Sequence, residues 1–233
     1  MFHELFDGAA WAEALPIIRG QFLTATWETL YVTVLSTFFA ILIGLPLGVL
    51  LVTGDEKGIH PLPKWVIRTL NVIINILRSV PFLILMILVF PLTRVIVGTT
   101  VGTTATIVPL VIAAFPFIAR LAETSLREVN PNSIEMAQSL GASPWQIITK
   151  VLLPEAKPSL LVGAAIAVTT ILGYTAMAGF VGGGGLGGIA TNYGYYKFNF
   201  KVMTITIVFL IVIVQVLQEV GMRIAVRSNK RNK

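Results

Sequence analysis

Thr29–Val52 reads TLYVTVLSTFFAILIGLPLGVLLV, without a single charged residue. A hydrocarbon core about 30 Å thick is crossed by about 20 apolar residues in helical form. A stretch of this length and composition therefore decides the class of fold: a membrane helix, in which Gly44, Pro46 and Gly48 are tolerated. Working outward, four further predominantly apolar segments of similar length follow, about 65–90, 102–122, 159–180 and 202–224, of which only 159–180 is also free of charge. The expectation is an all-α membrane protein with five transmembrane helices, forming one transmembrane domain over residues 1–233.

Composition agrees. Of 233 residues, 55% are hydrophobic and 12% charged, where soluble domains carry about 25% charged residues. Cysteine is absent, which removes disulfides, thiolate nucleophiles and Cys-based metal sites. Only His3 and His60 are available, so a histidine metal site is not expected. The net charge of +6 points to membrane surfaces rather than nucleic acid, because the basic residues flank apolar spans. No cleavable signal peptide is expected, since Glu4, Asp7 and Glu13 accompany a single Arg19 before the first span.

The Lys and Arg asymmetry orients the spans. Lys57, Lys64, Arg68, Arg120, Arg127, Lys150, Lys157, Arg223, Arg227, Lys230, Arg231 and Lys233 fall on one side, and Arg19, Arg94, Lys197 and Lys201 on the other. The basic side is cytoplasmic, which places the N-terminus outside and the C-terminus inside. The run GGGGLGG at Gly182–Gly188 then lies at the outer face. It satisfies G-x-G-x-x-G, yet no strand precedes it and no acidic residue occurs between Glu155 and Glu219, so a dinucleotide site is rejected. A tight turn between the last two spans is expected instead. Without a Gly-Lys dipeptide there is no P-loop, so ATP hydrolysis would need another chain.

Between the third and fourth spans runs RLAETSLREVNPNSIEMAQSLGASPWQIITKVLLPEAKPS, the 123–158 connection with its flanks. Asn132 or Ser133 is read as the cap of a short helix carrying Ile134, Met136, Ala137 and Leu140, with Gly141 as its stop. Ser143-Pro144 opens a second helix, which Pro154 is expected to end. Ordered connections of this length are usually functional.

Within it, Glu135-Met136-Ala137, three residues, Gly141, nine residues and Val151-Leu152-Leu153-Pro154 resemble the E-x-A-x3-G-x9-[IV]-x-L-P signature of ABC importer permeases. Met136 departs from that family's usual Glu-Ala-Ala. The stretches ETLYVTVLSTFFAILIGLPLGVLL, RSVPFLILMILVFPLTRVIVGTTVG and GYTAMAGFVGGGGLGGIATNYGY resemble its methionine uptake branch. The resemblance implies a type I importer permease fold in the cell membrane, a homodimer, two separate ATPase subunits carrying ATP and Mg, and an extracytoplasmic methionine-binding protein. This chain would carry no cofactor and would not itself be an enzyme. It implies import of methionine, in the L and D forms, with Glu135, Ala137, Gly141, Val151, Leu153 and Pro154 in a coupling helix that docks on the ATPase. A permease for another amino acid or small organic solute is the alternative, and an ion-coupled secondary carrier a more distant one.

Inside the spans, Arg78 is the expected deep charge, with Arg68, Asn71 and Asn75 at helical spacing beside it and Pro81 kinking the helix. Thr170, Tyr174, Met177 and Val181 share a face of the fourth span, where a thioether and an aromatic edge suit a methionine pathway. Met177 and Tyr174 are the gate candidates. All acidic residues are read as lying outside or at the margins of the spans, which argues against proton coupling.

Overall fold

The computed structural model describes residues 8–228, with side chains described from residue 14. The calls on His3, Glu4, Asp7, Lys230, Arg231 and Lys233 lie outside these residues, and so does the Glu13 side chain. Every element among the described residues is helical. In chain order they are α1 (Gly8–Thr53), α2 (Lys64–Ser79), α3 (Phe82–Leu88), α4 (Phe90–Val97), α5 (Ile107–Arg127), α6 (Pro131–Ser139), α7 (Pro144–Ile147), α8 (Leu153–Ala178), α9 (Gly185–Ile189) and α10 (Phe200–Ser228). Four helical stretches are long and apolar enough to cross a membrane, or five if the bent pair α2 and α3 counts as one span.

Two expectations change. The first helix does not begin near residue 29 but continues from Gly8, giving 46 residues and a length of about 70 Å at 1.5 Å per residue. Hydropathy reports where lipid fits, not where a helix starts, so Arg19 and Glu28 interrupt the apolar run without interrupting the helix. The second span is broken outright rather than kinked. Val80 leaves the helix in an extended conformation (φ −79°, ψ 126°) immediately before Pro81, and a new helix starts at Phe82. Proline restricts its predecessor to such angles, which separates α2 from α3.

The chain divides into two compact units. The first comprises Met1–Thr37, Pro81–Val111 and Val168–Leu217. Its core joins Ala14, Phe22 and Ala25 of α1 to Leu186, Ile189 and Val202, with an edge-to-face Phe22–Phe209 pair at 5.3 Å. Three buried threonine hydroxyls inside α1 are satisfied locally, while those of Thr26 and Ser36 have no partner among the described residues: Thr29 donates to the Ala25 carbonyl, Thr33 to Thr29 and Thr37 to Thr33, at 2.7–2.9 Å. In hydrocarbon, such a back-bond removes the cost of a buried hydroxyl.

The second unit comprises Phe38–Val80, Ile112–Ala167 and Gln218–Lys233. Here Gly44 and Gly48 prove to be packing residues. A methyl group at Gly44 would lie 2.7 Å from the Phe115 carbonyl, and one at Gly48 2.6 Å from Ala122 Cβ. Small residues four apart let α1 and α5 approach closely, the usual device where lipid removes the hydrophobic drive between helices. Leu51, Ile74 and Ala119 fill the core beside this crossing. At the end of α5 a polar chain runs from Asn75 through Arg120 (2.9 Å) and Glu123 (2.6 Å) to Arg127 (3.1 Å) and Asp55 (3.0 Å). The Arg127 guanidinium, followed by the Glu56 backbone N–H, holds the Asp55 carboxyl below its ordinary value of 3.8.

Gly48→Ala should lower the melting temperature of the purified protein, since overpacking costs about 1–3 kcal/mol. Gly20→Ala, where a methyl meets nothing within 4 Å, should leave it unchanged or raise it. Because Asp55 has a depressed folded pKa, its contribution is complete above the unfolded value and disappears as pH falls through the folded one. Its side chain is 40% exposed, so screening limits the effect to less than about 1 kcal/mol. The melting difference between wild type and Asp55→Asn should hold steady from pH 7 to about 5 and shrink below pH about 4.

Candidate functional site

The connection between α5 and α8 folds as a built elbow. Its first helix, α6, is capped by Asn130 rather than by Asn132 or Ser133: Asn130 Oδ1 accepts from the Asn132 N–H at 3.0 Å, and Pro131 fills the first helical position. Gly141 stops the helix as expected, at φ +77°, with Gly141 N–H donating to the Gln138 carbonyl and Ala142 N–H to that of Ala137. That bonding pair is a Schellman closure, which requires the left-handed conformation glycine adopts without strain. Ser143 then opens α7 in a capping box: its N–H donates to Gln146 Oε1 at 2.9 Å and its Oγ accepts from Gln146 N–H at 3.3 Å.

Pro154 does not end this helix, contrary to expectation. A π turn at Ile148–Leu152, closed by the Leu153 N–H donating to the Ile148 carbonyl, carries the chain directly into α8. Pro154 falls in the first turn of α8, where a missing N–H is tolerated. The result is an elbow continuous with a long helix rather than one hinged from it.

The elbow has two faces. Inward, Ile134 packs against Leu126, Val129, Leu152 and Ala156, while Ala137 and Ile147 are buried. Outward, Met136, Leu140 and Trp145 are 63%, 81% and 72% exposed. Of the six coupling candidates, Glu135, Ala137 and Gly141 thus sit on α6 and its cap, with Val151, Leu153 and Pro154 at the π turn and the start of α8. Leu153 and Ile134 belong to one cluster. Glu135 and Pro154 are exposed, and Val151 and Leu153 half-buried. Glu135 and Gln138 line a cavity of about 500 Å³ with Asp55, Lys57 and Arg127.

The pathway candidates are distributed differently. Tyr174 and Met177 lie on α8 in the first unit, and Arg78 in the second. The Tyr174 ring stacks on Phe82, centroids 4.6 Å apart and planes 5° apart; Met177 is 47% exposed. Arg78 occupies the last turn of α2, exposed, just before the break at Val80, and makes no ion pair among the described residues. Its expected polar stripe is not continuous. Asn71 donates back to the Ile67 carbonyl, and Asn75 receives Arg120.

The glycine run is not the simple turn expected. A 3-10 turn at Gly179–Val181 leads to Gly182 (φ +83°) and Gly185 (φ +70°), and Gly185 already begins α9, followed by a π turn at Ala190–Tyr195. Gly183 and Gly185–Gly188 are buried. The N–H of Gly185 donates to Glu28 Oε2 at 2.7 Å, and that of Leu186 to Thr29 Oγ1 at 2.9 Å. A carboxylate therefore stands where a phosphate would need to sit, which disposes of the nucleotide reading physically. Glu28 and Glu123 are both helical, within the stretches Ala14–Thr53 and Thr104–Arg127, and each stands one residue outside the apolar runs 29–52 and 102–122. The Arg120–Glu123–Arg127 spacing was readable as i,i+3 and i,i+4 pairs. Nothing local to Glu28 announces a partner 157 residues away.

Known proteins place the chain. Residues 44–231 match the family described as binding-protein-dependent transport system inner membrane component. The "Probable D-methionine transport system permease protein MetI" of Vibrio cholerae serotype O1 is 49% identical over 90% of this chain and 92% of its own. The "D-methionine transport system permease protein MetI" of Escherichia coli K12 is 48% identical over 70% of this chain and 72% of its own. An inward-facing structure of the MetNI methionine ABC transporter superposes with a TM-score of 0.87 at 46% identity, over 90% of this chain and 96% of that one. An amino acid ABC transporter with histidines, at 19% identity and a TM-score of 0.75, shares the fold. The helices, the elbow and these relatives lead to one assignment: the chain is a multi-pass membrane protein of the binding-protein-dependent transport system inner membrane component family.

Proposed function

We propose that this chain is the membrane-spanning permease subunit of an ATP-driven methionine importer. Relatives at nearly half identity over 90% and 70% of this chain are D-methionine transport system permeases by description, which supports the substrate. The observation that carries the mechanism is the elbow, anchored by Ile134, Ala137 and Ile147 and presenting Met136, Leu140 and Trp145 outward. Buried apolar anchors hold it stiff, and an exposed apolar face at a polar surface is suited to a partner groove.

In this reading the partner is a separate ATPase, two copies of which serve a homodimer of this chain and bind the ATP and Mg. This chain holds no cofactor and catalyses no reaction of its own. The elbow lies in the cytoplasm, the N-terminus outside and the C-terminus inside, and the glycine run faces an extracytoplasmic methionine-binding protein. Gly141 and the Pro154 turn set the elbow's shape, Glu135 borders the docking surface, and Val151 and Leu153 carry its motion into α8. Tyr174, held by its stack on Phe82, and Met177 serve as pathway and gate residues of the first unit, and Arg78 as a pathway residue of the second.

Uptake into vesicles should require the chain, its ATPase, the binding protein and ATP; uptake by this chain alone under an ion gradient would replace this reading with a secondary carrier. Met136→Asp combined with Leu140→Asp should reduce ATPase copurification at least about tenfold, since each buried apolar side chain contributes about 1.5–3 kcal/mol. The melting temperature should stay unchanged, because both side chains are exposed in the free chain. Met177→Ala should raise methionine leak through the assembled complex without ATP; unchanged leak and unchanged basal ATPase activity would remove Met177 from the gate.

A further inference from the structure

A carboxylate packed against backbone is costly unless fixed donors satisfy it. Glu28 has such a donor in the Gly185 N–H, and its neighbour Thr29 holds the next N–H, that of Leu186. Thr29 also donates its own proton to the Ala25 carbonyl at 2.9 Å, so its oxygen is oriented as an acceptor toward Leu186. The two bonds grip consecutive amides at the start of α9. They tie α1 to a segment that lies far away in sequence.

The glycine run is also held by the Gly183 N–H, which donates to the Ala178 carbonyl at 2.9 Å, and by the buried Leu186 side chain. From Gly182 to Gly185 there is no side chain to pack, and two of these residues take left-handed angles. Backbone bonds must therefore set its position. Besides Glu28 and Thr29, Gly102 N–H donates to the Gly182 carbonyl at 2.9 Å, bringing in the segment before α5. Space is equally restrictive. A methyl group at Gly184 would overlap Thr103 Oγ1 and lie 2.8 Å from Glu28 Oε2. Glu28 stands where α1, Thr103 and the glycine run meet.

We propose that Glu28 is a positioning residue for transport: as an acceptor for Gly185, with Thr29 for Leu186, it clasps the glycine run to α1 and so fixes the backbone that follows α8. The proposal rests on the transport reading. It makes the clasp a matter of acceptor geometry, so a neutral side chain with an oxygen in the same place keeps it.

The test uses the full chain assembled with its ATPase in nanodiscs and, in parallel, in vesicles with the binding protein. Amide hydrogen exchange at Gly185 and Leu186 reads the clasp directly. Glu28→Ala should accelerate exchange at Gly185 at least about tenfold, a charged hydrogen bond being worth that factor or more. It should also lower the maximal methionine uptake rate per assembled complex at unchanged KM and unchanged basal ATPase activity. Glu28→Gln should retain both properties. Thr29→Val, nearly isosteric, should accelerate exchange at Leu186 and lower uptake in the same way, which keeps the test decisive if Glu28→Ala fails to assemble. Unchanged exchange in Glu28→Ala or Thr29→Val would overturn the clasp, and Glu28→Gln behaving like Glu28→Ala would overturn its acceptor basis. Altered exchange with an unaltered uptake rate would overturn the positioning role. Wild-type complex that transports no methionine would instead refute the transport reading, leaving the exchange result to judge the clasp.

Discussion

Inside a bilayer no water is available to complete a hydrogen bond, and each polar group left open costs several kcal/mol. Thr29, Thr33 and Thr37 meet that demand by bonding carbonyls one turn back in their own helix. Glu28, at the margin of the apolar run, accepts the first amide of α9. Gly185 and Leu186, at a helix start where amides lack intrahelical partners, receive theirs from side chains of α1. The all-helical architecture and its irregular junctions both follow from the same requirement.

Helix breaks then appear only where the backbone can be resatisfied. At Val80-Pro81 the chain leaves α2 in an extended step and restarts at once, Ile84 and Leu85 donating to the Pro81 carbonyl at 3.0 Å. At Pro154 the opposite happens: a π turn absorbs the irregularity and the helix goes on. Two prolines of identical chemistry thus have different consequences. Pro81 follows a completed helix and dictates extended angles to its predecessor, whereas the π turn ahead of Pro154 lets the helix pass on despite the missing N–H. The elbow inherits its stiffness from this continuity, from the Schellman closure at Gly141 and from the capping box at Ser143.

Much of this was legible in advance. Long apolar runs announced the spans, Gly141 and Ser143-Pro144 announced two elbow boundaries, and the spacing from Glu135 to Pro154 announced the family. These are local signals, each written within one turn or one regular motif. The misreadings are instructive for the same reason. Asn132 and Ser133 are acceptable caps, but Pro131 could take the first helical position, which moved the cap to Asn130. Of the apolar residues that α6 and its cap carry, Ile134 and Ala137 turn inward while Met136 and Leu140 stay exposed, because the cluster of Leu126, Val129 and Leu152 lies on one side.

Sequence alone determined the membrane class, the approximate spans and the elbow, because hydropathy, helix caps and motif spacing are properties of neighbouring residues. Tertiary structure alone decided that Gly44 and Gly48 form a close helix crossing, that Tyr174 stacks on Phe82, and that Glu28 reaches Gly185. Those contacts join residues separated by roughly 70 to 157 positions. Which distant groups meet depends on how whole helices pack, and a charge such as Glu28 reads as a span boundary until its partner amide is in place.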